Sequence, residues 1–151
     1  MKQNFTLFLI VISLAACKKS NNEAKALKIS LLSPLNSSTI SAESALEFSW
    51  RAPVSTSSER DIYKIKIVEI TGDQSPEDAL RGNKPHFEKD SLKESIYTYP
   101  NSAARLKSGS KYSWGITARR DGKPIGENSG TSEASKFTVS GGSAGGATGA
   151  R

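Results

Sequence analysis

Lys111-Tyr112-Ser113-Trp114-Gly115-Ile116-Thr117-Ala118 alternates large apolar residues with small or polar ones along its whole length. Successive side chains of a strand point to opposite faces, so Tyr112, Trp114, Ile116 and Ala118 share one face and belong to a core. Asp121-Gly122 follows closely, a strong hairpin-turn pair. Three other segments carry the same period of two. Leu46-Glu47-Phe48-Ser49-Trp50-Arg51 places Leu46, Phe48 and Trp50 on one face, and Pro53 with the serines to Ser58 ends it. Tyr63-Lys64-Ile65-Lys66-Ile67 turns Tyr63, Ile65 and Ile67 inward and its lysines to water, and Thr71-Gly72-Asp73 stops it. Ser135-Lys136-Phe137-Thr138-Val139 closes the series with Phe137 and Val139 inward. Shorter candidates run from Leu27 to Leu32 and from Ile96 to Tyr99. This pattern predicts one all-β antiparallel sandwich of about seven strands.

One segment breaks the rule. Ser75-Pro76-Glu77-Asp78-Ala79-Leu80 begins with a residue suited to an N-cap, then a proline suited to the first helical position, then two acids suited to the positive end of the helix dipole. It predicts one or two helical turns inside an insertion between strands. The sandwich is expected over 27–139, a length that suits one domain. The inward phase assigns Trp50 and Trp114 to the core rather than to a sugar-stacking platform. A buried tryptophan covers about 150–250 Å² and contributes roughly 4–6 kcal/mol gross.

The first and last stretches have different compositions. Met1-Lys2 is a positive start, and Phe5 to Ala16 is an apolar run of 12 residues. A permanent membrane helix needs roughly twenty, so residues 1–16 read as a removable signal peptide. Leu14-Ala15-Ala16-Cys17 resembles the bacterial lipobox, which implies cleavage before Cys17 and acylation of its sulfur and new amino group. Cys17 is the chain's one cysteine, so no disulfide within the chain competes for it. Residues 17–26 are a polar stretch and read as a flexible tether between membrane and domain. Residues 140–151, built of glycine, serine and alanine ahead of a final arginine, read as a disordered tail. The resemblance implies the outer membrane, since Lys18 rather than an acid follows Cys17, with the periplasmic face favoured over the cell surface.

The chemistry-bearing residues assemble no catalytic constellation. His86 is the single histidine and is expected in a polar loop, without a second histidine or thiol beside it to make a metal site. No serine sits in a nucleophile elbow: Gly141-Gly142-Ser143-Ala144-Gly145 has the Gly-x-Ser-x-Gly spacing but belongs to the tail and does not link a strand to a helix. Glu77 with Asp78, and Glu88 with Asp90, read as solvated carboxylates rather than as a glycosidase pair. The tail glycines do not link a strand to a helix and make no phosphate cradle. Without Lys2, 20 basic and 15 acidic side chains leave a net charge of +5, dispersed along the chain, which does not argue for nucleic acid. No enzyme activity, cofactor or metal is expected.

Phe48-Ser49-Trp50-Arg51-Ala52-Pro53, the Tyr63–Ile67 strand and Leu106-Lys107-Ser108-Gly109-Ser110-Lys111-Tyr112-Ser113-Trp114 together resemble the fibronectin type III pattern. The resemblance covers about Ile29 to Val139. It implies an immunoglobulin-like sandwich in which Trp50 is a core tryptophan, Leu106 plugs one end of the core, and the Tyr112 hydroxyl ties back to the preceding corner. The region from Gly72 to Ser95 departs from that pattern and is longer than it needs. A lipobox ahead of such a domain is similar to short lipoproteins of Bacteroidetes. Two functions fit: a protein-interaction or scaffold module, and a carbohydrate-binding or adhesive surface lipoprotein, for which Phe87, Tyr97 and Tyr99 are the platform candidates. Loops on a rigid scaffold are where binding residues gather, which points to Gln74, Glu77, Asp78, Arg81, His86 and Phe87 of the insertion together with Arg119, Arg120 and Lys123.

Overall fold

The computed structural model describes residues 28–42, 44–53 and 59–141. The expected signal peptide, Cys17, its tether and the tail beyond Gly141 lie outside the described residues. The alternating segments all form strands. In chain order the elements are β1 (Ser30–Ser33), β2 (Ser38–Ser41), β3 (Glu47–Arg51), β4 (Asp61–Glu69), α1 (Pro76–Gly82), β5 (Pro85–Leu92), β6 (Ile96–Thr98), β7 (Lys111–Arg120), β8 (Lys123–Pro124) and β9 (Ser135–Ser140), with a short 3-10 turn at Asn128–Gly130.

These strands make two open sheets. The smaller has the order β1-β3-β6, and the larger β2-β9-β7-β4-β5, with β8 folded back on β7 beyond the Asp121-Gly122 turn. The longest ladder joins β4 to β7 without a break, from Asp61 opposite Arg120 to Glu69 opposite Tyr112. The chain therefore enters the domain at the Asp61 end, where Ser30 pairs with Arg51, and leaves at the Glu69 end, where Thr138 pairs with Lys111. One pairing is parallel: β2 runs alongside β9 from Ser38–Phe137 to Ser41–Ser140.

The inner faces of the two sheets share one core. Phe48 and Trp50 of β3 meet Tyr63, Ile65 and Ile67 of β4, Trp114 and Ile116 of β7, and Phe137 and Val139 of β9, all buried. Phe48 and Trp114 pack edge to face at 4.9 Å and 67°, and Trp50 and Tyr63 do the same at 5.5 Å and 68°. Such edge-to-face contacts add to the gain from apolar burial. The indole N–H groups of Trp50 and Trp114 have no acceptor among the described residues, so these rings are held by packing. The protein is thus all-β and sandwich-like, as the alternation predicts.

The insertion is more structured than a loop with a helical turn. Ser75 caps α1 by accepting the Asp78 N–H at 3.1 Å and donating to the Asp78 carboxylate at 2.7 Å, and Pro76 opens the helix. The helix lies on the outer face of the larger sheet. Ser113 Oγ donates to the Pro76 carbonyl at 2.8 Å, Lys66 Nζ donates to the Leu80 carbonyl at 2.6 Å, and Ala79 is fully buried. A face expected to meet water is therefore covered: Ser113 and Gly115 are as buried as the core residues between them, and Lys66 ends under the helix. After α1 the chain forms β5, an eight-residue strand paired with β4. His86 and Phe87 accordingly sit on a strand and not in a polar loop. The last strand also extends to Ser140, one residue past the expected boundary.

Gly115 is what lets α1 approach. A Cβ there would stand 2.7 Å from Leu80 Cδ2 and 3.2 Å from Ser132 Oγ. We predict that Gly115→Val destabilises the domain by about 1–3 kcal/mol, the usual cost of overfilling a packed site. Amide hydrogen exchange should localise the loss to α1, with protection of the β4–β7 ladder retained.

Candidate functional site

A concavity opens at the Glu69 end, between β2, the start of β3 and the connection from β6 to β7. It is a cleft of about 630 Å³ walled by Ile40, Ala45 and Leu46 on one side and by Tyr99, Pro100 and Leu106 on the other, with Arg105 also lining it. A second cleft of about 430 Å³ shares the wall formed by Ile40, Ala45 and Leu46 and continues past Leu35 to Glu47. Leu35 is 69% exposed, which makes it the most exposed large apolar residue described. Ser41, Ser44 and Asn101 line the first cleft as well, so its surface is more polar than apolar.

A polar cluster fastens the wall of this cleft. The buried Tyr112 hydroxyl accepts the Lys107 N–H at 2.9 Å, and Lys107 Nζ reaches Glu69 Oε2 at 2.7 Å. Ser110 Oγ donates to the other Glu69 oxygen at 2.9 Å. The Tyr99 hydroxyl donates to the Ala104 carbonyl at 2.6 Å, and His86 Nε2 donates to that same oxygen at 3.1 Å. The connection from Tyr99 to Ser110 is therefore tied down at both ends. Hydrogen bonds from Lys107 and Ser110 hold the Glu69 carboxyl below its usual range, and those from Glu69 push Lys107 up. Burial pushes the Tyr112 hydroxyl up, so it stays protonated at neutral pH.

The residues expected to form a binding surface do not come together as one. Gln74 is taken up in closing its own loop: its Oε1 accepts from Thr71 Oγ1 at 2.9 Å and Asn83 Nδ2 at 2.8 Å, and Asn83 also holds the Glu69 carbonyl. Asp78 caps α1 and meets Arg81 at 3.5 Å. His86 is half-buried with its ring edge on Tyr112 at 5.2 Å. Arg120 grips Asp61 with two bonds, Nε to Oδ1 at 2.5 Å and Nη2 to Oδ2 at 3.0 Å, and the Asp61 side chain is 1% exposed. That pair closes the core at the Asp61 end and raises the Arg120 pKa, chiefly through the hydrogen bond to Asp61. Glu77, Arg119 and Lys123 are exposed, but Arg119 and Lys123 lie at the Asp61 end and α1 starts over Ser113, toward the other end.

The aromatic platform is not formed either. Phe87 stacks on Tyr97 at 5.9 Å and tilts onto Tyr99 at 5.0 Å, and Tyr99 approaches Phe48 at 6.5 Å. These three half-buried rings fill the gap between β5 and β6 and pack against the core instead of presenting a flat face. The cleft, which sequence reasoning missed, is built from residues scattered over β2, β3 and the β6–β7 connection; Leu35, beside Pro34 and outside any alternating run, was the one available signal.

Among the described residues no three of His, Cys, Asp and Glu converge on a metal position, and no helix is long and apolar enough to cross a membrane. Compared with known proteins, the chain matches no protein-family model, and no curated protein matches it in sequence.

Two predictions follow from the polar pairs. Because the folded pKa of Glu69 lies below its ordinary 4.5, its contribution to stability is whole above that value and fades as pH falls through the lower folded value. Urea midpoints of the wild type and Glu69→Gln should differ at pH 7 and converge as the pH is lowered below 4.5 and through the folded value. For the second pair, Arg120→Ala leaves the buried Asp61 carboxylate without its guanidinium. The double variant Asp61→Ala/Arg120→Ala should therefore melt higher than Arg120→Ala alone.

Proposed function

We propose that the protein is a non-enzymatic, lipid-anchored envelope protein whose fibronectin type III-like domain serves as an interaction or scaffold module. The observation that carries the domain reading is the strand order. A three-stranded sheet, β1-β3-β6, faces a six-stranded one, β2-β9-β7-β4-β5 with β8 on β7, which is the two-layered β arrangement of a sandwich. The Tyr112 hydroxyl on the Lys107 N–H supports it further, since it is the tie to the preceding corner expected of that tyrosine. Trp50 is buried, and Leu106 packs against the core from the β6–β7 connection.

Support for binding over catalysis comes from the cleft. It mixes aliphatic walls with Ser41, Ser44, Asn101 and Arg105, while Tyr99, Lys107 and Glu69 beside it are engaged in holding backbone and one another. The inward turn of Phe87, Tyr97 and Tyr99 removes the specific residues that favoured glycan capture. The lipobox resemblance at Cys17 supports acylation and the outer membrane, with the domain on the periplasmic face. In that arrangement the tether joins the domain at the Asp61 end, and the cleft opens at the other.

The anchor is tested by metabolic labelling with an alkyne fatty acid. Label should enter the wild type and be lost in Cys17→Ala, which leaves the membrane fraction; an unlabelled wild type overturns the anchor. Protease should digest the domain after lysis and spare it in intact cells, and digestion of intact cells would move it to the cell surface. Photo-crosslinking residues placed at Leu35, Glu77 and Arg119 in cells should yield a defined adduct from at least one position. No adduct from any of the three overturns the interaction role.

A further inference from the structure

The outer faces of the two sheets differ in what they present. On the larger sheet Lys64, Lys66, Arg119 and Lys136 alternate with the core residues, and α1 lies over part of that face. The three strands of the smaller sheet carry two charges in all, Glu47 and Arg51. Phe48 and Trp50 point into the core, so Glu47, Ser49 and Arg51 share the outer face. Ile96 lies opposite Ser49 and Thr98 opposite Glu47, which sets both on that face. On the other side Ser33 lies opposite Ser49, and Ser30 opposite Arg51. Leu31 packs against the core, whereas its neighbour Leu32, the extra residue where β1 slips register, is 43% exposed.

Ile96 is 45% exposed. Leu35 borders the same face, since it shares the second cleft with Ser33 and Glu47. Leu32, Leu35 and Ile96 are the large apolar residues exposed among the described residues, and all three gather on or beside this sheet. A single exposed apolar residue or charge is common on any surface. The arrangement here is more particular. Leu32 and Ile96 flank the small Ser49, other hydroxyl side chains fill the positions between, and the two charges stand two residues to either side of Ser49 with opposite signs. Charge kept away from the middle of a patch is the composition of an interface.

We infer that the outer face of the β1-β3-β6 sheet is the contact surface for a second copy of this chain. The pattern is complementary to itself. A two-fold axis crossing β3 at Ser49, in the plane between two such faces, sets β3 antiparallel to its counterpart. Glu47 then meets the second copy's Arg51, Arg51 meets its Glu47, and Leu32 and Ile96 each meet their own equivalents. Such an isologous contact closes on itself as a dimer. An axis along β3 would instead set Glu47 on Glu47 and Arg51 on Arg51, which like charges disfavour. A three-stranded face is below the size of a permanent interface, so association is weak in solution. Confinement of both copies to one membrane raises their effective concentration. This deepens the interaction-module reading and rests on it.

The mature chain carrying Cys17→Ser is followed by sedimentation equilibrium and by ¹⁵N amide shifts from micromolar to millimolar concentration. A monomer–dimer equilibrium should appear, with shifts centred on residues 30–33, 47–51 and 96–98. Glu47→Lys and Arg51→Glu, both at exposed positions, should each weaken self-association by about two- to fivefold for each of the two contacts reversed. An equimolar mixture of these two variants should recover the wild-type affinity as a heterodimer, because every contact across the axis regains opposite signs. Leu32→Thr/Ile96→Thr should weaken the dimer about tenfold and leave the melting temperature of the dilute monomer unchanged. A chain that stays monomeric at millimolar concentration, or a mixture that fails to recover the affinity, overturns the inference. So do shifts of these amides that appear only on adding phosphatidylglycerol vesicles, which would make the face a membrane contact. In cells the Leu35 photo-crosslink should hold a second copy of the chain. An adduct with a different protein, or from Glu77 or Arg119 alone, would preserve the interaction role and remove the dimer.

Discussion

The contact on which the rest of the structure depends is the edge-to-face pair of Phe48 and Trp114, 4.9 Å between ring centres. Phe48 belongs to the three-stranded sheet and Trp114 to the larger one, so this pair fixes the two layers against each other. Phe137 meets Phe48 at 6.0 Å and Tyr112 at 5.6 Å, which extends the aromatic seam toward the Glu69 end. Trp50 and Tyr63 extend it toward the Asp61 end. A seam of large rings removes much apolar area from water for few immobilised torsions, and in a domain of this size that term must offset most of the entropy of ordering the chain. The buried Asp61–Arg120 pair adds little net stability by itself, because desolvation cancels much of its attraction. Its effect is to close the seam at one end in a single geometry.

The outer face of the larger sheet follows a different logic. An antiparallel sheet ordinarily leaves one face to water, and the serine, glycine and lysine that alternate with the core residues fit that rule. Here α1 covers them, and these same small or long residues make it possible. Gly115 leaves room for Leu80, Ser113 is short enough to hold the Pro76 carbonyl, and Lys66 reaches the last turn of the helix, where an unpaired carbonyl attracts a cation. The insertion thus thickens the domain and prolongs its sheet through β5, which removes it from the set of mobile loops.

How much of this was legible in the sequence depends on the range of the interaction. Strand phase is local, so the inward placement of Tyr63, Ile65, Ile67, Tyr112, Trp114, Phe137 and Val139 could be read directly. The helix start was equally legible, because Ser75, Pro76 and Asp78 act within one turn. Where that helix would lie was not, since the complementarity of Leu80 to Gly115 joins positions thirty-five residues apart. His86 and Phe87 were misplaced for a related reason: Glu88-Lys89-Asp90 reads as a loop, and only pairing with β4 makes it a strand. The parallel pairing of β2 with β9 was invisible, because Ser38-Thr39-Ile40-Ser41 has too little apolar content to announce a strand.

That last omission bears on function more than the others do. Ile40 and Ser41 of β2 line the cleft, so the site was hidden in the sequence along with the strand that walls it. At the Asp61 end, where the chain enters, Asp61 pairs with Arg120 and Asp121 with Arg60, while Arg119 and Lys123 stay exposed. At the Glu69 end, Glu69 with Lys107 and Ser110 fastens the connection beside β2, and Arg105 and Glu47 at the margins of the two clefts make no side-chain hydrogen bond or ion pair among the described residues. A rigid wall favours binding, because a partner then meets groups already ordered and loses less entropy in docking.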